Sequence, residues 1–85
     1  MNRKKIIEKL LISNFNDWQI NVTDISKQHK GHNNFDGLGE THFSITLRNK
    51  KNVSFNRLSL HRQIYKILDD QFYKGLHALE IKITD

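Results

Sequence analysis

The chain has 85 residues, enough for one small domain spanning residues 1–85, and it contains no cysteine. Disulfide bonds, thiolate metal ligands and cysteine nucleophiles from this chain are therefore excluded. The net charge of +5 is compatible with nucleic acid or an acidic partner but establishes neither. No run of about 18 apolar residues is present, so no membrane span is predicted. A cytoplasmic location is the expectation.

Residues 3–14 carry apolar side chains at helical spacing after Asn2, a suitable N-cap, so they are predicted to form a helix. Basic residues crowd its first turn, where the helix dipole disfavours them. A solvated N-terminus that tolerates this mismatch is the simpler interpretation, and a basic docking surface is the alternative. From Trp18 to Thr23 apolar and polar residues alternate, which predicts a strand of about seven residues.

A polar stretch, 26–40, follows this strand and contains His29 and His32. Loops of this length are uncommon in compact domains and are usually functional or disordered. Alternation then predicts a second strand over 41–48, with Phe43 and its alternate neighbours pointing inward. His42 falls on the outward face and is interpreted as a surface or loop-anchoring residue, on the opposite kind of face from His77.

The C-terminal part is predicted to contain a polar turn, a short helical piece near 55–58, a main helix over 59–73 and a last strand. The last strand, 75–83, has an aliphatic face with His77 at its head. His77 is expected at the rim of the core, partly covered, where it is either satisfied by a backbone carbonyl or available as a ligand. The elements predict a two-layer α/β sandwich, with a three-stranded mixed sheet covered on one face by helices.

Enzyme motifs are absent from the sequence. It has no nucleophile elbow, phosphate-binding loop or dinucleotide fingerprint, so no enzyme is predicted. Asp69 and Asp70 are adjacent on a helix and point about 100° apart, which indicates a solvated face. His29 and His32 have an H-x-x-H spacing without an obvious third ligand nearby. A loop histidine that joins His77 in half of a shared metal site is the more attractive hypothesis.

The segment 48–62 is basic and contains no acidic residue. A short helix followed by a longer one would allow contacts to phosphate of the helix-turn-helix kind. Ordinary solvated surface is the commoner outcome of such a run, and base-stacking aromatic residues are not evident. A DNA-binding transcriptional regulator is thus the alternative function, with these candidate contacts: Arg48, Lys50, Lys51, Arg57 and Arg62.

Three short motifs occur in register along the chain: 39–43 (GETHF), 60–65 (LHRQIY) and 76–79 (LHAL). In order and spacing the sequence resembles the BolA family over essentially its whole length. The resemblance implies an α-β-β-α-α-β fold similar to the class II KH domain. It also implies a monothiol glutaredoxin as partner in a heterodimer, and a monomer when the protein is alone.

The resemblance further implies that the pair of proteins holds a bridging [2Fe–2S] cluster. The glutaredoxin cysteine and glutathione ligate one side, and the last-strand histidine, here His77, ligates the other. A loop histidine completes that side, and His32 matches its position, with His29 in reserve. Leu60 stands where the family commonly has arginine, and 52–54 (NVS) replace a Phe-x-Gly turn. Both departures weaken the DNA-binding prediction more than the cluster prediction.

Overall fold

A computed structural model describes residues 2–26 and 41–84 of the chain. Strand β2 lies in the middle of a three-stranded sheet, antiparallel to β1 and parallel to β3. The predicted α+β architecture with a mixed sheet is confirmed. None of the helices in the described ranges is long and apolar enough to cross a membrane. In chain order the elements are α1 (Arg3–Asn14), β1 (Trp18–Asp24), β2 (His42–Asn49), α2 (Arg57–Ile67), α3 (Asp69–Tyr73) and β3 (Ala78–Thr84).

The helices pack on one face of the sheet, as the alternation of the strands predicts. Every second residue of β2 is fully buried there, namely Phe43, Ile45 and Leu47. Apolar side chains of α1 and α2 belong to the same core, including Ile7, Leu11, Leu60 and Ile64. On the other face, the alternate polar residues of β1 and β3 remain exposed. Asn2 caps α1 as predicted, since its side chain accepts a hydrogen bond from the Lys5 N–H at 2.9 Å.

The connection between β2 and α2 differs from its prediction. The residues just before Arg57 are not helical, so the short helix predicted near 55–58 is wrong. The Asn49 side chain holds this turn instead, because it donates to Val53 O at 2.9 Å and accepts from Val53 N–H at 3.1 Å. One side chain thus satisfies both backbone polar groups of Val53 within the turn.

The predicted continuous helix over 59–73 is also wrong, because Leu68 interrupts it. Leu68 has φ −96° and ψ 8°, outside the helical region, and separates α2 from α3. The Gln71 N–H bonds to Leu68 O at 2.9 Å, which starts the next turn. Leu68 itself is fully buried, so the interruption lies at a core residue. The second helical segment follows the main helix rather than preceding it.

Arg3 joins the first helix to the last one. Its guanidinium donates to Gln71 Oε1 at 3.1 Å and to Lys74 O at 2.9 Å, and Gln71 is buried. The second bond satisfies a carbonyl at the end of α3 that has no partner within the helix. Gly75 follows with φ 119°, a conformation that strains L residues. For Arg3, the interpretation as part of a solvated N-terminus is therefore wrong.

Replacement of Arg3 by methionine should lower the free energy of unfolding by about 1–3 kcal/mol, because a buried amide oxygen loses its charged donor. Urea unfolding followed by circular dichroism measures this change. Lys4→Met is the matched control, since Lys4 is an exposed cation in the same turn and should stay within about 0.5 kcal/mol of the wild type. Equal losses in both variants would contradict the role assigned to Arg3.

Candidate histidine site

The end of β1 and the beginnings of β2 and β3 lie at the same end of the sheet. Since β1 is antiparallel to β2, its last residue, Asp24, pairs with Phe43. Since β3 is parallel to β2, its first residue, Ala78, pairs with His42. Polar residues that are distant in the sequence therefore meet at this end, which we call the histidine end.

The side chain of Ser26 organises the histidine end. Ser26 is fully buried, and its Oγ accepts hydrogen bonds from the N–H groups of Thr41 and His42 at 3.0 and 3.1 Å. The same hydroxyl donates to Asp24 Oδ1. One side chain thus satisfies the two backbone donors with which the central strand begins, donors that would be costly to leave unpaired in a buried place.

Thr41 links the central strand to the start of β3. Its carbonyl accepts from the N–H groups of His77 and Ala78, at 2.7 and 3.2 Å. Its hydroxyl oxygen lies 2.9 Å from Nδ1 of His42. The same residue therefore fixes the backbone of His77 and the ring of His42.

These contacts place two imidazole rings side by side. The ring centroids of His42 and His77 are 5.7 Å apart, with an angle of 64° between the ring planes. His77 is exposed and His42 is half-buried. The prediction that His42 lies on the opposite kind of face from His77 is wrong, because the two rings are in contact. Strand alternation failed here because His77 precedes β3, whose first residue is Ala78.

The predicted loop ligands, His32 and its reserve His29, fall between the two described ranges, so both stay predictions. Within residues 2–26 and 41–84, no group of three or more His, Asp or Glu side chains is arranged to hold a metal ion. An ion or cluster at the histidine end would therefore combine imidazole nitrogens of the described residues with donors from elsewhere.

The five basic residues predicted to contact nucleic acid are divided among a strand, a turn and a helix. Arg48, Lys50 and Arg62 are exposed. Lys51 forms an ion pair with Asp17, at 3.1 Å between Nζ and Oδ1. Arg57 donates to the carbonyl of Ile83 at 2.8 Å, and its guanidinium lies over an aromatic ring. Without the short helix, these residues do not form a helix-turn-helix arrangement. DNA binding stays a prediction, and none of these contacts favours it.

An open cleft of about 330 Å³ lies at the opposite end of the sheet, where α1 ends and α2 begins. Trp18 and Phe55 contribute an edge-to-face pair to its wall, with ring centroids 5.1 Å apart. None of the side chains that line the cleft is ionisable. The cleft can therefore offer packing and hydrogen bonds, whereas the histidine end offers nitrogen ligands.

Fold and site together define a two-layer α+β domain that presents a pair of imidazoles at one end of a mixed sheet. The chain belongs to the BolA-like family, because the model of that family, described as BolA-like protein, matches residues 11–85. The resemblance inferred from the three sequence motifs is thereby confirmed.

Relatives and solved structures support the same assignment. A protein of Sinorhizobium sp. described as uncharacterized, in the cobS 5′ region, is 35% identical over 96% of this chain and 89% of its own length. Chloroplastic BOLA1 of Arabidopsis thaliana is 32% identical over 94% of this chain, which matches only 51% of that protein. The BolA domain of SufE1 from Arabidopsis thaliana superposes with a TM-score of 0.80 at 32% identity, covering 99% of this chain and 92% of that one. The cytoplasmic location stays a prediction.

Replacement of Ser26 by alanine should destabilise the protein by about 1–3 kcal/mol, because the N–H groups of Thr41 and His42 lose a buried acceptor. Urea unfolding gives the stability, and amide hydrogen exchange at these two residues should accelerate in the native protein. Ser13→Ala is the control, since this exposed hydroxyl bonds only to carbonyls of its own helix. Unchanged exchange at Thr41 and His42 in Ser26→Ala would contradict the role of Ser26.

Proposed function

We propose that this protein is an adaptor that pairs with a monothiol glutaredoxin and holds a bridging [2Fe–2S] cluster with it. The pair would act in iron–sulfur cluster assembly or transfer, or in iron regulation, and no enzymatic activity is proposed. The observation that carries the proposal is the exposed imidazole of His77 at the head of β3, in a chain of the BolA-like family.

The donor groups of the chain fit one half of such a site. The chain has no cysteine, so it cannot offer a thiolate, and the imidazole nitrogens of its histidines are the donors that suit an iron–sulfur cluster in place of thiolate. Two histidines replace two thiolates on one iron of Rieske [2Fe–2S] centres, which raises the reduction potential. We assign His77 as one ligand and His32, with His29 in reserve, as the other. The glutaredoxin cysteine and glutathione would provide the thiolates, and the bound cluster would supply iron and sulfide for transfer.

The backbone around His77 is fixed on both sides of the residue. Its own N–H donates to Thr41 O at 2.7 Å, and the N–H of Leu76 donates to Gln71 O at 2.9 Å. Leu76 is also buried, with 3% of its surface exposed. Because the backbone is already fixed, a partner that binds the ring has to order only its side-chain torsions. His77 is thus well suited to ligate a cluster that is completed by a second protein.

His77→Ala should remove the change that this protein causes in the visible absorption and circular dichroism of a cluster assembled with glutaredoxin, glutathione and iron. The physical reason is the loss of a ligand to one iron. His61→Ala is the matched control, because it removes a half-buried imidazole from α2 rather than from the strand head. The proposal fails if wild type and His77→Ala give the same spectrum, or if the wild type leaves the spectrum unchanged.

The loop ligand is tested by a comparison of His32→Ala with His29→Ala in the same assay. We expect the first variant to alter the spectrum and the second to resemble the wild type. The opposite result would assign the ligand to His29, and wild-type spectra from both variants would show that the loop supplies neither.

A further inference from the structure

We propose that His42 and His77 together bind one divalent transition-metal ion, of the class of Zn²⁺ or Cu²⁺, in the protein alone. This site shares His77 with the proposed cluster role. It is inferred, however, from the geometry of two rings in the described part of the chain, and it needs neither glutaredoxin nor the loop histidines.

The spacing of the two rings is close to that of a chelate. Two imidazoles that bind one ion through nitrogens at about 2.0–2.1 Å, at a tetrahedral angle, have ring centroids roughly 5 Å apart. The observed distance is 5.7 Å, so the two rings are already about as far apart as two imidazole ligands of one ion. The planes are inclined by 64°, so the rings meet edge to face rather than face to face.

Thr41 supplies the supporting contact that metal-ligating histidines usually have. Such a histidine commonly donates its other ring N–H to an oxygen, which fixes the tautomer and the orientation of the ring. Thr41 Oγ1 lies 2.9 Å from Nδ1 of His42. When Nδ1 of His42 carries the proton and donates this hydrogen bond, Nε2 of the same ring has the lone pair that would bind the ion.

The backbone positions of both histidines are set before an ion binds. His42 N–H donates to Ser26 Oγ at 3.1 Å, and its carbonyl accepts from Ile25 N–H at 2.9 Å. The His77 N–H is held by Thr41 O. Binding therefore has to order little besides side-chain torsions.

The nature of the ligands selects the class of ion. Imidazole nitrogen suits Zn²⁺, Cu²⁺ and Ni²⁺, whereas Mg²⁺ and Ca²⁺ prefer oxygen. Two protein ligands leave coordination positions that water would fill in the free protein. The expected site is therefore selective for the transition metals and of moderate affinity.

Titration of the free protein with Zn²⁺ tests the site, by calorimetry and by NMR of the histidine rings, at a pH about one unit above the ordinary imidazole pKa of about 6.5. We expect one ion per chain and shifts in the ring signals of His42 and His77 together. His42→Ala and His77→Ala should each weaken binding by about tenfold or more. His61→Ala, the matched histidine control, should bind as the wild type does.

Further variants separate the alternatives. The double variant His29→Ala/His32→Ala should retain Zn²⁺ binding. Loss of Zn²⁺ binding in this double variant would assign the second ligand to the loop and overturn the role of His42. Wild-type affinity in His42→Ala would overturn it as well. Where His42→Ala does not fold, His42→Asn replaces it, with folding checked by circular dichroism. If the protein binds Zn²⁺ but forms no cluster with glutaredoxin, only the proposed function is contradicted. If it forms the cluster but does not bind Zn²⁺, only this inference is contradicted.

Discussion

The buried hydroxyl of Ser26 is the contact on which the histidine end depends. It accepts hydrogen bonds from the N–H groups of Thr41 and His42. The carbonyl of Thr41 in turn accepts a hydrogen bond from the N–H of His77. These bonds join three strands whose paired ends are separated by long stretches of sequence. Because an unpaired buried donor costs about 1–3 kcal/mol, each bond favours the strand arrangement that makes the others possible.

In this arrangement, the groups that stabilise the strand ends are different from the ring that is exposed to a ligand. The hydrogen bonds that fix the strand ends are backbone bonds or involve short polar side chains. The ring of His77 is exposed and does not belong to the apolar core. A small domain buries only a modest core, so it benefits when ligand-binding side chains can change partners without loss of core contacts. The histidine end satisfies that condition, because its rings project from a backbone that is already paired.

Sequence reasoning predicted the parts of the fold that periodicity controls and missed those that depend on tertiary contacts. The inward row that begins with Phe43 follows from alternation alone, and the structure buries it. The break at Leu68 has no sequence signal, because the apolar stripe of a straight helix continues through it. The bond from Arg3 to Gln71 joins opposite ends of the chain, which local rules cannot connect. The contact of His42 with His77 requires the parallel register of β2 and β3.

The absence of cysteine gives this site its chemical character. Neutral imidazoles bind soft metal centres less firmly than thiolates do, and they leave more positive charge on the metal. A chain that offers imidazoles rather than thiolates at its histidine end therefore cannot match the hold of a four-thiolate site on an iron–sulfur cluster. Under the proposed function, retention of a cluster then depends on thiolates from glutaredoxin and glutathione. Dissociation of the pair would expose the cluster's weakly held side, which favours transfer over storage.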